Sequence, residues 1–155
     1  MKKLLITFVL VLSFSTCGFA SAAEGTDRDP VDPDITSGKA LQDFKQAREK
    51  WLAQGVSSYK VKVRRSCFCA SPFAATMTVR DGKVKNVSAK PWYGPRTIPG
   101  MFRIVGQAIK NKVAVLDVTY HPTLGFPRTT WIDYIAMAAD DEIGYGLSGF
   151  RALKP

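Results

Sequence analysis

The chain is poor in the residues that most enzymes use for catalysis. It contains one histidine, His121, and only three cysteines in 155 residues. It also lacks a glycine-rich phosphate loop and a Gly-x-Ser-x-Gly nucleophile motif. A single histidine leaves few ways to build a nucleophile–base pair or a histidine-rich metal centre. These absences make an enzyme the least favoured function class, and they predict no cofactor.

Long apolar runs are equally scarce. The run Leu4 to Phe14 follows the positive start Lys2-Lys3 and is too short to span a bilayer comfortably. The small residues Ala20-Ser21-Ala22 follow, as at a cleavage site. We therefore predict a signal peptide over residues 1–22, cleaved after Ala22, and a periplasmic or secreted protein without a transmembrane segment.

Cys17 offers an alternative, because a lipid attached to it could anchor the mature chain. A lipoprotein site prefers leucine at the third position before the cysteine and a small residue just before it. Phe14 and Thr16 fit that pattern poorly. We favour removal of Cys17 with the signal peptide, which leaves Cys67 and Cys69. An even number of cysteines in an exported chain favours a disulfide over free thiols.

Acidic residues are fewer than basic ones, 13 against 22, so the net charge is +9. Loss of Lys2 and Lys3 with the signal peptide leaves +7. A basic exported protein could bind anionic lipid, a cell-wall polymer, nucleic acid or an acidic protein. The bases are dispersed and alternate with apolar residues, as on the solvent face of a sheet, and no nucleic-acid motif accompanies them. We therefore expect no nucleic-acid partner.

Composition divides the mature chain into three parts. Residues 23–36 are acidic, contain prolines and lack periodicity, which predicts a flexible leader. Residues 37–152 predict a single α+β domain, and residues 153–155 form a short tail. The domain is long enough to bury a core without depending on disulfides.

Two periodicities predict the architecture of this domain. Helical spacing predicts two helices. The first is capped by Thr36 or Ser37 and ends at Gly55, and the second spans Pro99 to Lys110 and is capped by Thr97. The other segments alternate apolar and polar residues, as half-buried strands do. The pattern predicts the order α-β-β-β-α-β-β-β. We expect an antiparallel sheet of about five to six strands with the two helices packed on one face. The apolar stripe of the first helix consists of Leu41, Phe44, Ala47 and Trp51.

Two details of the strands carry further predictions. Asp81-Gly82 is the strongest hairpin signal, and Val84 and Val87 after it are out of phase, so a bulge or an early strand end is expected. Near the C-terminus, Gly144 and Gly146 share one face of a strand. Their small size permits something to lie close against that face, for example a helix.

Four blocks of the sequence, in this order, resemble a bacterial family, domain of unknown function family 6174. The resemblance covers Trp51 to Phe150 and implies an exported protein or lipoprotein. It implies no activity, ligand or catalytic residue. The family pattern has an acidic residue where this chain has His121, so no role of that carboxylate carries over. The blocks are W…GVSSYKVKVRRSCFC, VRDGKV, YHPTLGFPRTTWID and ADDEIGYGL.

The pair Cys67 and Cys69 follows the first strand. If that strand continued unbroken, Arg65 would point inward, which is costly for an unpaired charge. We therefore expect the strand to end or bulge near Arg65, with the cysteines in its irregular exit. A bond between them would close a tiny ring with a small entropic benefit and real strain. A structural clip is favoured; a redox couple, with Arg64 and Arg65 stabilising thiolates, and a metal site are the alternatives.

Metal binding has two further candidate sets. Zinc could take Cys67, Cys69, His121 and a carboxylate, although His121 lies in a stretch typical of a turn. Calcium could take an acidic cluster that matches no EF-hand spacing. In the simpler interpretation, these aspartates accept hydrogen bonds from loop N–H groups. The acidic cluster consists of Asp133, Asp140, Asp141 and Glu142.

The connector before the second helix carries Trp92, Tyr93 and Arg96. Rigid loops with aromatic and basic residues often bind partners, but these aromatics could equally cover the end of the core. Taken together, the sequence favours a non-enzymatic binding domain of the bacterial envelope, with an unknown envelope protein or ligand as partner. The alternative is a thiol-redox or metal-binding envelope protein centred on Cys67 and Cys69.

Overall fold

The computed structural model describes residues 30–154. The predicted signal peptide, its predicted cleavage site and Cys17 lie outside the described residues. The predicted order of helices and strands is confirmed, with one additional short helix before the first predicted one. No helix within residues 30–154 has the length and apolarity needed to cross a membrane. The elements are α1 (Pro33–Thr36), α2 (Lys39–Ala53), β1 (Tyr59–Ser66), β2 (Ala74–Arg80), β3 (Lys83–Val87), α3 (Ile98–Asn111), β4 (Val115–Tyr120), β5 (Pro127–Asp133) and β6 (Ile143–Ala152).

The six strands form one antiparallel sheet in the order β3-β2-β1-β6-β5-β4. β1 therefore lies inside the sheet, between β2 and β6, while β3 and β4 form its edges. Buried side chains of α2 and α3 join those of β1, β2 and β6 in one core. The predicted α+β class is confirmed.

Alternation along β1 decides which residues enter the core. Val61 and Val63 are buried, whereas Lys60 and Lys62 are exposed. The strand ends near Arg65 as expected, at Ser66, but Arg65 itself still belongs to β1 and is buried at 6% exposure. Arg65 is tolerated inside because a carbonyl and an aromatic ring contact its guanidinium, as described below.

The β2–β3 hairpin forms as predicted. Asp81 and Gly82 have φ angles of 50° and 72°, the pair of left-handed residues that a type I′ turn requires. The pairing then shifts from Val79↔Val84 to Thr78↔Asn86, which leaves Lys85 as an additional residue in β3. The predicted bulge is confirmed, and it explains why the two valines of β3 are out of phase.

Helix α2 presents a narrower apolar face than predicted. Ala47 and Trp51 are buried and Phe44 packs beside them, but Leu41 is 42% exposed. Its N-cap is Gly38, with φ 83°, rather than Thr36 or Ser37. Those two residues instead complete α1, because both of their backbone N–H groups donate to carbonyls of the preceding turn.

Helix α3 begins where the sequence indicates. The Thr97 hydroxyl accepts a hydrogen bond from the Gly100 N–H at 2.9 Å, which confirms Thr97 as the cap. The Tyr59 hydroxyl accepts a second one from the Ile98 N–H at 2.9 Å. A side chain at the start of β1 thus fixes the start of α3 and aligns the helix with the sheet.

The last residues of the predicted leader belong to the fold. α1 covers the end of residues 23–36, and the Asp32 N–H donates to the Val113 carbonyl at 3.0 Å. The Asp32 carboxylate accepts hydrogen bonds from the N–H groups of Leu116 and Asp34, both at 2.8 Å. The folded part therefore starts at or before Asp32, because this buried carboxylate joins α1 to the edge strand β4.

Replacement of Asp32 tests that boundary. Asp32→Ala removes the cap of α1 and leaves the buried Leu116 N–H without a partner. We expect the free energy of unfolding to fall by about 2–4 kcal/mol in urea denaturation. Asp34→Ala is the matched control, because its exposed ion pair with Lys39 at 3.1 Å contributes under about 1 kcal/mol. Equal small effects of both variants would contradict a structural role for Asp32.

Candidate functional site

The loop between β1 and β2 lies at one end of the sheet. Because neighbouring strands are antiparallel, the end of β1 lies beside the start of β2 and the start of β6. The connector that follows β3 starts from the same end. We call residues 67–73 the disulfide loop. Antiparallel pairing thus gathers the two segments that the sequence singled out, this loop and the Trp92–Arg96 connector.

Cys67 and Cys69 are joined by a disulfide within this loop. Their Cα atoms are 5.3 Å apart, inside the usual range for a disulfide and closer than in a flat strand. The Cys69 N–H also donates to the Cys67 carbonyl at 2.9 Å, which bends the backbone. The cysteines therefore lie in the irregular exit of the strand, as expected, although that exit starts after Ser66.

Arg65 anchors the disulfide loop from inside. Its guanidinium donates to the Ala70 carbonyl and lies 5.6 Å from the centroid of the Tyr93 ring. Its Nε has no hydrogen-bond partner, and within residues 30–154 Arg65 forms no salt bridge. One buried side chain thus connects β1, the loop and the connector. The sequence indicated the inward orientation of Arg65, because the residues of β1 alternate strictly between the core and the solvent.

Aromatic side chains surround the loop at the surface. Phe68 is 82% exposed and Tyr93 is 62% exposed, and Phe73 is also exposed. We call these three residues the aromatic rim. Phe68 and Phe73 border, with both cysteines and Ala70, a shallow depression of about 490 Å³. Exposed phenylalanine is unfavourable in water, so this surface is the clearest candidate for contact with a partner.

The three connector residues separate into two roles. Trp92 is buried, and its Nε1 donates to the Pro95 carbonyl at 3.1 Å, so it covers the core. Tyr93 and Arg96 are exposed. The core-covering interpretation therefore holds for Trp92, whereas Tyr93 and Arg96 lie at the surface.

His121 lies far from the cysteines. It directly follows β4, which lies three strand spacings from β1, about 14 Å. The His121 Nδ1 accepts hydrogen bonds from the N–H groups of Thr123 at 3.3 Å and Leu124 at 3.1 Å, and its ring packs on Phe126. The structure does not bring together the residues of the zinc hypothesis. His121 organises the β4–β5 turn.

The acidic cluster does not form a recognisable cation site. No three His, Cys, Asp or Glu residues in the described part of the chain are arranged to hold a metal ion. Both carboxylate oxygens of Asp141, and Oδ1 of Asp133, are buried without a hydrogen-bond partner. The expected hydrogen bonds to loop N–H groups are therefore absent at these atoms. Asp140 adopts a left-handed conformation with φ 66°, and Glu142 immediately precedes β6.

Two tyrosines remain neutral at ordinary pH: Tyr145, which pairs with Arg65 across β1 and β6, and Tyr134. Burial raises the pKa of Tyr145, and Tyr134 raises it further, while Arg65 opposes the rise. Burial also raises the pKa of Tyr134, with a contribution from Asp141. Neither hydroxyl therefore ionises to balance the charge of Arg65, which relies on the Ala70 carbonyl and the Tyr93 ring.

These features define an α+β domain with helices on one face of a six-stranded antiparallel sheet and a disulfide-closed loop at one end of an inner strand. The chain belongs to a family of unknown function, DUF6174, whose model matches residues 43–152. The resemblance noted in the sequence is thereby confirmed, and the match includes the disulfide loop and all six strands. Comparisons with curated proteins and with solved structures found no match.

The contrast between two adjacent arginines tests the anchoring role of Arg65. Arg65→Ala removes the contacts to Ala70 and Tyr93. We expect it to lower the free energy of unfolding by about 2 kcal/mol and to speed amide hydrogen exchange across the disulfide loop. Arg64→Ala is the control, because Arg64 is exposed on the same strand. Unchanged exchange in the loop of Arg65→Ala would rule out the anchor.

Proposed function

We propose that this chain is an exported, non-enzymatic binding domain of the bacterial envelope, which docks a partner protein on its aromatic rim. The observation that carries the proposal is the exposure of Phe68, at 82%, on a loop closed by a disulfide. Aromatic side chains held in a defined position are the usual anchors of protein interfaces.

The disulfide loop is suited to binding because its conformation is restricted. The Cys67–Cys69 bond closes a three-residue ring that carries Phe68, and Arg65 ties the following part of the loop to β1 through the Ala70 carbonyl. A loop that is already ordered loses less conformational entropy when a partner binds. The rim therefore offers apolar contact area at a low entropic cost.

Export is supported by two independent features. The first is the predicted signal peptide over residues 1–22. The second is the pairing of Cys67 with Cys69, because disulfides persist in oxidising compartments such as the periplasm or the extracellular space. These features favour a periplasmic or secreted location.

The chemistry near the rim supports binding rather than catalysis. General acid–base catalysis works best with a group whose pKa lies near the operating pH. Arginine keeps its charge in proteins, and the pKa values of Tyr134 and Tyr145 are raised from an already high value. Neither tyrosine would exchange a proton efficiently near pH 7.

Truncation of the rim tests the docking proposal. Phe68→Ala is expected to weaken binding of the partner captured from an envelope fraction by roughly 30-fold, about 2 kcal/mol. Phe73→Ala should weaken it less. Leu52→Ala is the matched control, since Leu52 is an exposed apolar residue on α2. The proposal fails if Phe68→Ala and Leu52→Ala retain the partner equally well.

Thiol–disulfide exchange at Cys67–Cys69 is a second candidate, favoured by the partial exposure of both cysteines. A partner thiolate would attack one sulfur, form a mixed disulfide and release the other sulfur as a thiolate. The ring contains only three residues, so the bond adds little to the stability of the whole domain. Such a bond could open without unfolding the protein.

A double variant separates the two candidates. Cys67→Ser with Cys69→Ser should lower the free energy of unfolding by no more than about 2 kcal/mol, because the closed loop is so short. Urea denaturation measures this change. Mass spectrometry after alkylation, with and without reductant, checks the bond in the wild type. If the double variant still captures the partner, exchange is not the basis of recognition. In Cys67→Ser, the remaining Cys69 thiolate can attack a partner disulfide and release one partner sulfur as a thiolate, and a mixed disulfide trapped in this way would support exchange.

A further inference from the structure

The face of the sheet opposite the helices carries a row of bases. Lys60, Lys62 and Arg64 alternate with the buried residues of β1 and are exposed. None of them forms a salt bridge within residues 30–154. We call this side of the sheet the open face. Its charge is available to an anionic ligand because no described carboxylate pairs with the row.

A depression of about 300 Å³ lies beside this row. Two ladders of paired residues cross it, one from Arg64 through Gly146 to Thr129 and the other from Ser66 through Gly144 to Trp131. The depression thus spans β1, β6 and β5, and Asp117 of β4 borders its far side. β1 and β5 are two strand spacings apart, about 10 Å, which is wide enough for a sugar ring.

Both glycines line the depression, but packing accounts for only one of them: the Trp131 ring lies close against Gly144, whereas the space above Gly146 is open. Neither Gly144 nor Gly146 has a positive φ angle, so the backbone does not require glycine at either position. A Cβ at Gly146 would meet nothing within 4 Å, while one at Gly144 would lie 3.1 Å from Cε3 of Trp131. Glycine inside a strand is unfavourable and often marks the close approach of a ligand.

Trp131 forms one wall above this floor. Its side chain is 41% exposed and faces the same side of the sheet as its paired residue Gly144. The carbon-bound hydrogens of a sugar ring pack well against the face of an indole, because the ring is apolar and its face is electron-rich. Arg64 on the opposite side can donate two parallel hydrogen bonds to a carboxylate.

We infer that the depression binds a carboxylate-bearing sugar unit of an anionic polysaccharide. Trp131, whose ring lies over Gly144, packs on the sugar ring above Gly146, and Arg64 binds the carboxylate. Asp117 accepts hydrogen bonds from ring hydroxyls, and its negative charge disfavours a doubly charged phosphate monoester. Lys60 and Lys62 extend the basic row toward neighbouring acidic units. This surface is separate from the aromatic rim, so the inference does not depend on the proposed docking there.

Three probes distinguish the contribution of the ligand's charge to binding from the contribution of its sugar rings. We expect tetragalacturonate to bind the full mature chain and to shift the backbone amide signals of residues 144–146 and the Trp131 indole N–H in NMR titrations. Neutral cellotetraose should bind at least about tenfold more weakly, because it lacks the carboxylates. The single-stranded oligonucleotide dT10 should also bind more weakly, because its internal sugars carry no free hydroxyl to donate to Asp117. Stronger binding of dT10 would assign the surface to nucleic acid and overturn the inference.

A variant that fills the floor of the depression is the most direct test of the inferred site. Gly146→Val places a β-branched side chain in open space, so it should leave the thermal stability unchanged or raise it. The same change should abolish detectable binding of tetragalacturonate. Arg64→Ala and Trp131→Ala should each weaken binding about tenfold. Lys83→Ala is the control, since it removes an equal charge at the β2–β3 turn, outside the depression.

Each outcome of these titrations is decisive. Loss of binding in Gly146→Val, with an unchanged melting temperature and normal binding by Lys83→Ala, supports the inference. If no probe shifts the signals of residues 144–146 at millimolar concentration, the depression is not a site for acidic sugars. Equal losses in Lys83→Ala and Arg64→Ala would show general charge attraction and would also refute a defined site.

Discussion

The packing of Trp51 against Tyr59 is the interaction on which the rest of the structure depends. The two rings meet edge to face with centroids 5.9 Å apart, and they bring α2 onto the first residue of β1. Phe126 and Phe150 complete the same cluster around Trp51. The Tyr59 hydroxyl then accepts the first N–H of α3. One buried aromatic pair thus sets the position of both long helices relative to an inner strand.

Strict alternation along β1 creates two surfaces with different chemistry. Its inward residues build the core and end in Arg65, which holds the disulfide loop in place. Its outward residues include Arg64, which lies beside the open floor at Gly146. Two adjacent arginines in one strand therefore serve opposite sides of the sheet. The proposed protein contact and the inferred sugar site both depend on the regularity of this single strand.

The fold was largely predictable from local patterns, while the candidate site was only partly so. The Asp81-Gly82 turn, the bulge after it and the Thr97 cap follow from the chemistry of a few neighbouring residues. The predicted zinc set failed because His121 and Cys67 are 54 positions apart in sequence, and only the strand order decides whether such residues meet. The anchoring contact of Arg65 was missed because Tyr93, its ring partner, arrives from a distant connector.

Periodicity and turn chemistry were sufficient to determine the helices, the strands and the short spacing of the two cysteines, because these depend on residues that are close in sequence. The tertiary structure decided which charges are buried and which surfaces are open. It made Asp32 part of the fold through Val113 and Leu116, placed Arg65 inside, and set Trp131 beside Gly144. The physical reason is that burial and pairing depend on strand order and register, which bring together residues that are far apart along the chain.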